Sequence, residues 1–410
     1  MNSPIAVLFR RLGPYHVARL ETLAAHLGSS KIAAIETSDI DSTYAWNPIG
    51  RTKGFSRYTL FHGQAELFPP AQLWFALHAL LERIRPRAVA IPGWSDPLAL
   101  GGLCWARRNR TPVILMSDSR AGDKRRSPWK ESMKAAVVRL ADAALVAGKA
   151  HASYVAALGM PSASILTGYD VVDNAHFAEG ANLARTRAAE WRRMLELPER
   201  YFLAASRFVG GKGLSRVIRS YARYRANTGS DAWNLVLMGD GPLREELLAL
   251  VARLNLQACV KFVGFRQYEE LPLFYGLASA FVHASITDTW GLVINEAMAS
   301  GLPVLVSQDC GCAAELVSHG ETGWTFDPRD ESELAKQMMM ISRLSDQERS
   351  HFSEAAQRRM GDWSLNHFAE QFERALLKAQ AARRKTRSYE QPLLRTIAWY
   401  RYFQEQRFIA

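Results

Sequence analysis

Short apolar runs alternate with helical stretches twice along this chain, and that alternation limits the folds open to it more than any other feature. Before residue 171, PIAVLFR, KIAAIET, AVAIPG, PVILMSD, AALVAG and SILTGYD are separated by helical segments, and YFLAASRF, NLVLMGD, VKFVGF, AFVHAS and LPVLVSQ repeat the pattern afterwards. Strands joined through helices pair in parallel and take helices on both faces, so the expectation is α/β with a doubly wound parallel sheet in each half. In such sheets ligands bind outside the carboxyl ends of the strands. A chain of 410 residues has room for two domains with sizeable cores, and its 48% hydrophobic content is that of a globular protein.

Phe281 to Thr322 is the most informative single stretch. FVHAS reads as a strand and ITDT as a loop whose Asp288 or Thr289 can accept from the first backbone N–H groups of the next helix. On that helix Leu292, Asn295, Glu296 and Ala299 share a face, so Glu296 lies within reach of a ligand at the helix start. A carboxylate there suits vicinal hydroxyls, and backbone N–H groups near Gly291 suit an anion or a sugar oxygen. A buried Glu paired with a basic residue is the other reading. Gly301 ends the helix and Pro303 opens the following strand.

Upstream, YFLAASRFVGGKGL ends a strand in Arg207 and passes through a glycine turn and Lys212 into a helix near Leu214. Two cations on such a turn suit a diphosphate, Arg as a fork and Lys as a point charge. The spacing is not that of a P-loop, and two solvated surface cations are the alternative.

These segments resemble the C-terminal half of family 4 retaining glycosyltransferases, which have the two-domain GT-B fold. The resemblance rests on Arg207 with Lys212 and Gly213, GDGPL at Gly239 to Leu243, VKFVGF at Val260 to Phe265, and Asp288, Glu296 and AMASGLPV. One position departs: the first acid is Asp288 where the family has Glu.

The resemblance implies two Rossmann-like domains facing each other across a cleft. An acceptor domain would span 1–175 with 386–410 packing back on it, and a donor domain 176–385. It implies that Arg207 and Lys212 hold the diphosphate of a nucleotide-sugar, Glu296 the ribose, and Asp288 with the backbone of Gly291 and Leu292 the donor sugar. The base would lie near Val263 to Phe265. In the first domain Gly13, Tyr15 and His16 are candidates on the loop after strand one, with a structural His as the alternative. Asp118 stands where relatives carry a His, either facing the sugar or capping a helix.

The formal charge is +11. Anionic donors account for part of it, and an acidic membrane surface for more. RAGDKRRSPWKESMKAAVVRL, at 120–140, reads beyond Pro128 as a basic amphipathic helix, with Trp129, Met133, Ala136, Val137 and Leu140 on one side. It is either a membrane-interface helix or a half-buried one with a solvated basic face. The tail adds Arg383, Arg384, Lys385, Arg387, Trp399, Tyr400, Tyr402 and Phe403, read as a bracing helix. No nucleic-acid-binding signature supports that partner.

Cys104, Cys259, Cys310 and Cys312 are too few and scattered for a disulfide framework, and the C-x-C has no neighbouring His or Cys in sequence. The N-terminus lacks a secretory pattern, and Val89 to Ala106 is broken by Pro92, Asp96 and Pro97, so a cytoplasmic location is expected, with a peripheral position on the membrane's inner face as an option.

The implied reaction moves a hexose-type sugar from a UDP- or GDP-sugar to an acceptor hydroxyl, a lipid-linked or cell-envelope glycan, with retention of configuration. No cofactor or metal is expected, because the D-x-D at Asp39 to Asp41 is far in sequence from the Arg–Lys pair. A GT-B epimerase or phosphorylase and a non-catalytic nucleotide-sugar or membrane binder are the rival readings.

Overall fold

The computed structural model describes residues 3–28, 31–40, 45–123, 126–382 and 390–406. Asp41, Lys124, Arg125 and the basic run Arg383 to Arg387, named above, lie outside the described residues. The chain divides into two compact units, Met1–Val171 with Leu365–Ala410, and Val172–Ser364.

The first unit runs β1 (Ile5–Phe9), α1 (Pro14–Leu27), β2 (Ile32–Ile40), β3 (Ser56–Gln64), α2 (Pro70–Ile84), β4 (Ala88–Pro92), α3 (Pro97–Arg108), β5 (Val113–Ser117), α4 (Pro128–Val138), β6 (Ala143–Val146), α5 (Lys149–Ala157) and β7 (Ile165–Thr167). The strands pair in the order β3-β2-β1-β4-β5-β6-β7, each pair parallel. Every residue of β1 and β5 is buried, as expected where helices cover both faces of a parallel sheet.

Four helices open on proline, at Pro14, Pro70, Pro97 and Pro128, where a missing N–H costs nothing and the fixed φ suits the first turn. The long apolar stretch from Val89 is resolved by Asp96, which caps α3 by accepting from the Leu98 and Ala99 N–H groups. That stretch is therefore a central strand followed by a buried helix. No described helix is long and apolar enough to cross a membrane.

The second unit runs α6 (Asn174–Thr186), α7 (Ala188–Leu195), β8 (Tyr201–Ala205), α8 (Leu214–Thr228), β9 (Asn234–Met238), α9 (Arg244–Arg253), β10 (Val260–Gly264), α10 (Leu271–Leu277), β11 (Ala280–His283), α11 (Leu292–Ala299), β12 (Val304–Ser307), α12 (Ala313–Leu316), β13 (Gly323–Phe326), α13 (Glu331–Ser342) and α14 (Asp346–Gly361). Its parallel sheet has the order β10-β9-β8-β11-β12-β13. The core packs Phe202, Tyr221, Tyr224 and Trp233 against Leu235, Leu305 and Phe326.

The chain rejoins the first unit at Leu365 with α15 (Leu365–Ala381) and α16 (Glu390–Gln406). Phe368 and Phe372 of α15 are buried, and the helix packs on α1 and β6. Leu394, Ile397 and Ala398 of α16 join the core formed with α2 and α3.

Candidate active site

In the second sheet β8 and β11 are neighbours at the point where the strand order reverses, so the loops leaving their carboxyl ends converge. The loop after β8 carries exposed Arg207, then a 3-10 turn at Gly210–Lys212 that leads into α8. Gly213 has φ of +69°, and a Cβ there would stand 2.1 Å from the Ala284 carbonyl oxygen, so only glycine permits this approach. The Gly211 carbonyl accepts from the Ile286 N–H at 3.0 Å and from the Ser285 hydroxyl at 2.9 Å. The GDGPL stretch braces the same loop: the Phe208 N–H donates to the Asp240 carbonyl at 2.8 Å, and the Leu243 N–H donates to the Phe208 carbonyl at 3.1 Å.

This stitching brings Lys212 Nζ to 2.6 Å from Asp288 Oδ2. The same carboxylate oxygen lies 2.8 Å from His283 Nε2, at the end of β11. Burial by itself would raise the Asp288 carboxyl, but the hydrogen bond and charge of His283, joined by Lys212, hold it well below the usual carboxylate range. Burial pulls the His283 imidazole down, yet Asp288 and Cys310 outweigh it and raise the ring to about 9. The Asp288 carbonyl accepts from the Gly311 N–H at 3.0 Å, which ties its loop to the one after β12.

Helix α11 begins behind that loop. Its N-cap is Gly291, at φ +99°, rather than Asp288 or Thr289, and the Asp288 carboxylate is turned to Lys212 and His283. Leu292 is the first helical residue, and Glu296 lies one turn on, 2% exposed. Glu296 Oε2 accepts from the Tyr275 hydroxyl of α10 at 2.7 Å. Burial first, then Glu296, pushes the Tyr275 hydroxyl far up, so it stays a donor. Val263 is buried at the end of β10, and Phe265 follows it half-buried.

In the first unit Gly13 is the N-cap of α1, and its N–H donates to His16 Nδ1 at 3.0 Å. Nδ1 is thereby the acceptor, and the ring's proton sits on Nε2. Burial, with help from the Arg19 charge, lowers His16 to about 3, so the ring is neutral. Tyr15 meets Trp46 edge-on at 6.1 Å. Asp118 follows β5, half-buried, and α4 starts only at Pro128 with Ser127 as its N-cap, so Asp118 does not cap that helix. The Tyr169 hydroxyl is pushed up mainly by burial and in part by the charges of Asp170 and Asp118.

Sequence reasoning missed several neighbours. The C-x-C, read as having no His beside it, has one in space: a ring nitrogen of His283, a carboxylate oxygen of Asp288 and Sγ of Cys310 lie within 4.8 Å of one another. His283 was hidden inside an apolar run, and only its place at the strand end marks it. Tyr275 carried no signal, since its partner lies 21 residues away. In the basic helix, Lys134 pairs with Glu131 at 2.7 Å, whereas Trp129 is 49% exposed and meets Tyr400 of α16 edge-on at 5.4 Å.

The fold is that of a GT-B protein, and these loops meet at the strand-order switch of its second sheet. Residues 188–359, within the second unit, match the family model of glycosyl transferases group 1. The amylovoran biosynthesis glycosyltransferase AmsK of Erwinia amylovora is 31% identical over 146 residues, 34% of this chain and 35% of that protein. A GDP-mannose-dependent alpha-(1-6)-phosphatidylinositol monomannoside mannosyltransferase of Mycobacterium tuberculosis is 32% identical over 155 residues, 36% and 40% of the two chains. The matches thus span about 35–40% of these relatives' length. Over nearly the whole fold, HepE of Anabaena, solved with UDP and glucose, superposes with a TM-score of 0.71 at 18% identity, covering 92% of this chain and 100% of that one. Sucrose-phosphate synthase of Thermosynechococcus elongatus does so with 0.70 at 20% identity, covering 91% and 98%.

Proposed function

We propose that this protein is a retaining glycosyltransferase that moves a hexose-type sugar from a UDP- or GDP-sugar to the hydroxyl of a lipid-linked or cell-envelope glycan. The observation that carries the reading is the meeting, at one switch point, of the loop bearing Arg207 and Lys212, the loop bearing Asp288 and the helix α11 bearing Glu296, with Lys212 on Asp288 at 2.6 Å. Arg207 and Lys212 take the diphosphate, Glu296 the ribose hydroxyls, and Asp288 with the Gly291 and Leu292 backbone the sugar. Val263 and Phe265 border the base. The leaving diphosphate is stabilised by fixed cations, and no side-chain nucleophile or metal is needed for that. In the first unit Gly13, Tyr15 and His16 are candidates for the donor phosphates and the acceptor, His16 through its Nε2–H, and Asp118 for a sugar or acceptor hydroxyl.

The lipid-linked acceptor is supported by the names of relatives, among them an N-acetylgalactosaminyltransferase of Campylobacter jejuni acting on a diphospho-undecaprenol-linked sugar, 29% identical over 141 residues. We infer a cytoplasmic protein that touches an anionic membrane surface through Trp129 and Lys130.

Thermal unfolding with UDP, GDP and ADP, each with and without EDTA, tests the reading. A ligand at about a hundred times its Kd adds roughly 2.7 kcal/mol. One base should raise Tm with EDTA present and fail to do so in Arg207→Ala/Lys212→Ala. No shift with any base would sink the donor site, and a shift without release of free nucleotide on adding acceptor would favour a binder. Conversion of the bound sugar to its epimer would favour the isomerase.

A further inference from the structure

The group formed by His283, Asp288 and Cys310 is the one trio of ligand-type side chains found within mutual reach among the described residues. All three are more than nine-tenths buried, at 3%, 8% and 1% exposure. Cys312 stands beside Cys310, its Sγ 3.7 Å away, but is not part of the mutually close group. An imidazole, a carboxylate and a thiol make a donor set that suits Zn²⁺ far better than Mg²⁺ or Ca²⁺, and three protein ligands with one open position are a known zinc arrangement.

The ligands are held by backbone bonds as well as by packing. The Gly311 N–H donates to the Asp288 carbonyl, and the Cys312 N–H donates to the Trp290 carbonyl at 3.0 Å, so the cysteine loop cannot drift from the acidic one. Lys212 closes the cluster on its outer side, with its side chain 19% exposed and its Nζ on the same Oδ2 that a metal would take.

We propose that His283, Asp288 and Cys310, with a fourth position open to water, form an inhibitory site for Zn²⁺ that displaces Lys212 from Asp288 and so competes with the nucleotide-sugar donor. The competition rests on the assignment of Lys212 to the donor diphosphate. The ion binds a ring nitrogen of His283, a carboxylate oxygen of Asp288 and the Cys310 thiolate, and the protons leaving the thiol and the ring pass to water. The Lys212 ammonium is left beside a dication and swings outward, which is also the direction of metal entry. Lys212 and the metal are alternatives for one carboxylate, which makes the site reversible and not a resident cofactor site.

Cobalt is the probe, because tetrahedral Co²⁺ with thiolate ligands absorbs strongly in the visible and adds a sulfur charge-transfer band in the near ultraviolet. The full chain, kept reduced and freed of metal, is titrated with Co²⁺ and then with Zn²⁺. One Co²⁺ per chain should produce both bands, and Zn²⁺ should abolish them. Cys310→Ser should remove the charge-transfer band, and Cys104→Ser in the other unit should change nothing. Lys212→Ala, which removes the competing cation, should tighten Co²⁺ binding.

Absence of the bands overturns the proposal, as does a band unchanged in Cys310→Ser or an affinity that falls in Lys212→Ala. If Cys310→Ser does not fold, the Lys212→Ala titration decides. The outcome separates from the donor reading: a nucleotide Tm shift in EDTA without cobalt bands sinks the metal site alone. Cobalt bands without any nucleotide shift sink the donor site and leave the metal site standing.

Discussion

Lys212 Nζ and Asp288 Oδ2 stand 2.6 Å apart, so the cation assigned to the donor diphosphate is already neutralised by the carboxylate assigned to the donor sugar. On the proposed assignment, donor binding exchanges one anion for another at Lys212. The shorter Asp at this position leaves room for both Lys212 and His283 on one oxygen.

This exchange predicts opposite effects for the two partners. Lys212→Ala should weaken UDP or GDP binding by at least about tenfold, through loss of a charge-assisted contact. Asp288→Asn should tighten the free nucleotide severalfold while lowering turnover, because Lys212 is released to the phosphates but the sugar loses its acceptor. Isothermal titration beside kcat measures both, and weaker nucleotide binding in Asp288→Asn would refute the exchange.

Stability should follow the same pair. Asp288→Ala leaves Lys212 and His283 facing one another without an anion, and removing one partner of a buried ion pair costs about 3–5 kcal/mol. Asp288→Asn keeps the shape and should cost less. Urea unfolding of the two variants ranks them, and equal losses would show that packing rather than charge dominates.

Glu296→Gln keeps an oxygen for the Tyr275 hydroxyl, so the fold should lose no more than about 1 kcal/mol. Donor affinity should fall about 10- to 100-fold, as two ribose hydroxyls lose a charged acceptor. Tyr275→Phe is the control: it removes the tether without removing the carboxylate, and should change affinity less. Equal effects of the two would reassign Glu296 to structure.

Both doubly wound sheets were legible because apolar strands covered on both faces leave unbroken runs such as IAVLF and VILMS. Arg207, Lys212, Asp288 and Glu296 were legible because each follows a strand end or a glycine turn. His283 and Cys310 were not, since what joins them is the register of β11 with β12, Phe281 to Val304 and His283 to Val306. Register sets which loop ends meet, and nothing local in VHAS or DCGC encodes it. For α4 the sequence left two readings open, since Lys134 pairs locally with Glu131 one turn away and the amphipathic pattern fits a membrane face or a half-buried helix equally well.

The membrane surface is tested where the helix is exposed. Trp129 presents nearly half its area, and Lys130 Nζ lies 5.6 Å from its ring centroid. Trp129→Glu with Lys130→Glu should reduce retention on anionic liposomes at low salt severalfold, at about 1 kcal/mol per lost charge near the surface, and Lys130→Glu alone, which spares the Trp129–Tyr400 contact, should do so without altering Tm. Unchanged retention would leave α4 as an ordinary half-buried helix.

His16 gives the pH dependence. Its native value of about 3 lies below the ordinary 6.5, so the native ring stays neutral where the unfolded ring is protonated. A depressed native value means the stability it contributes is complete above about 6.5 and is lost as pH falls from there towards 3. His16→Gln keeps a side-chain acceptor for the Gly13 N–H but does not titrate. The stability advantage of the native protein over this variant should therefore shrink by about 1–3 kcal/mol between pH 6.5 and 4.5. Ring nitrogen NMR at pH 5 provides the direct check: the proton should reside on Nε2 alone, and an imidazolium signal would show that the ring is not held neutral at the start of α1.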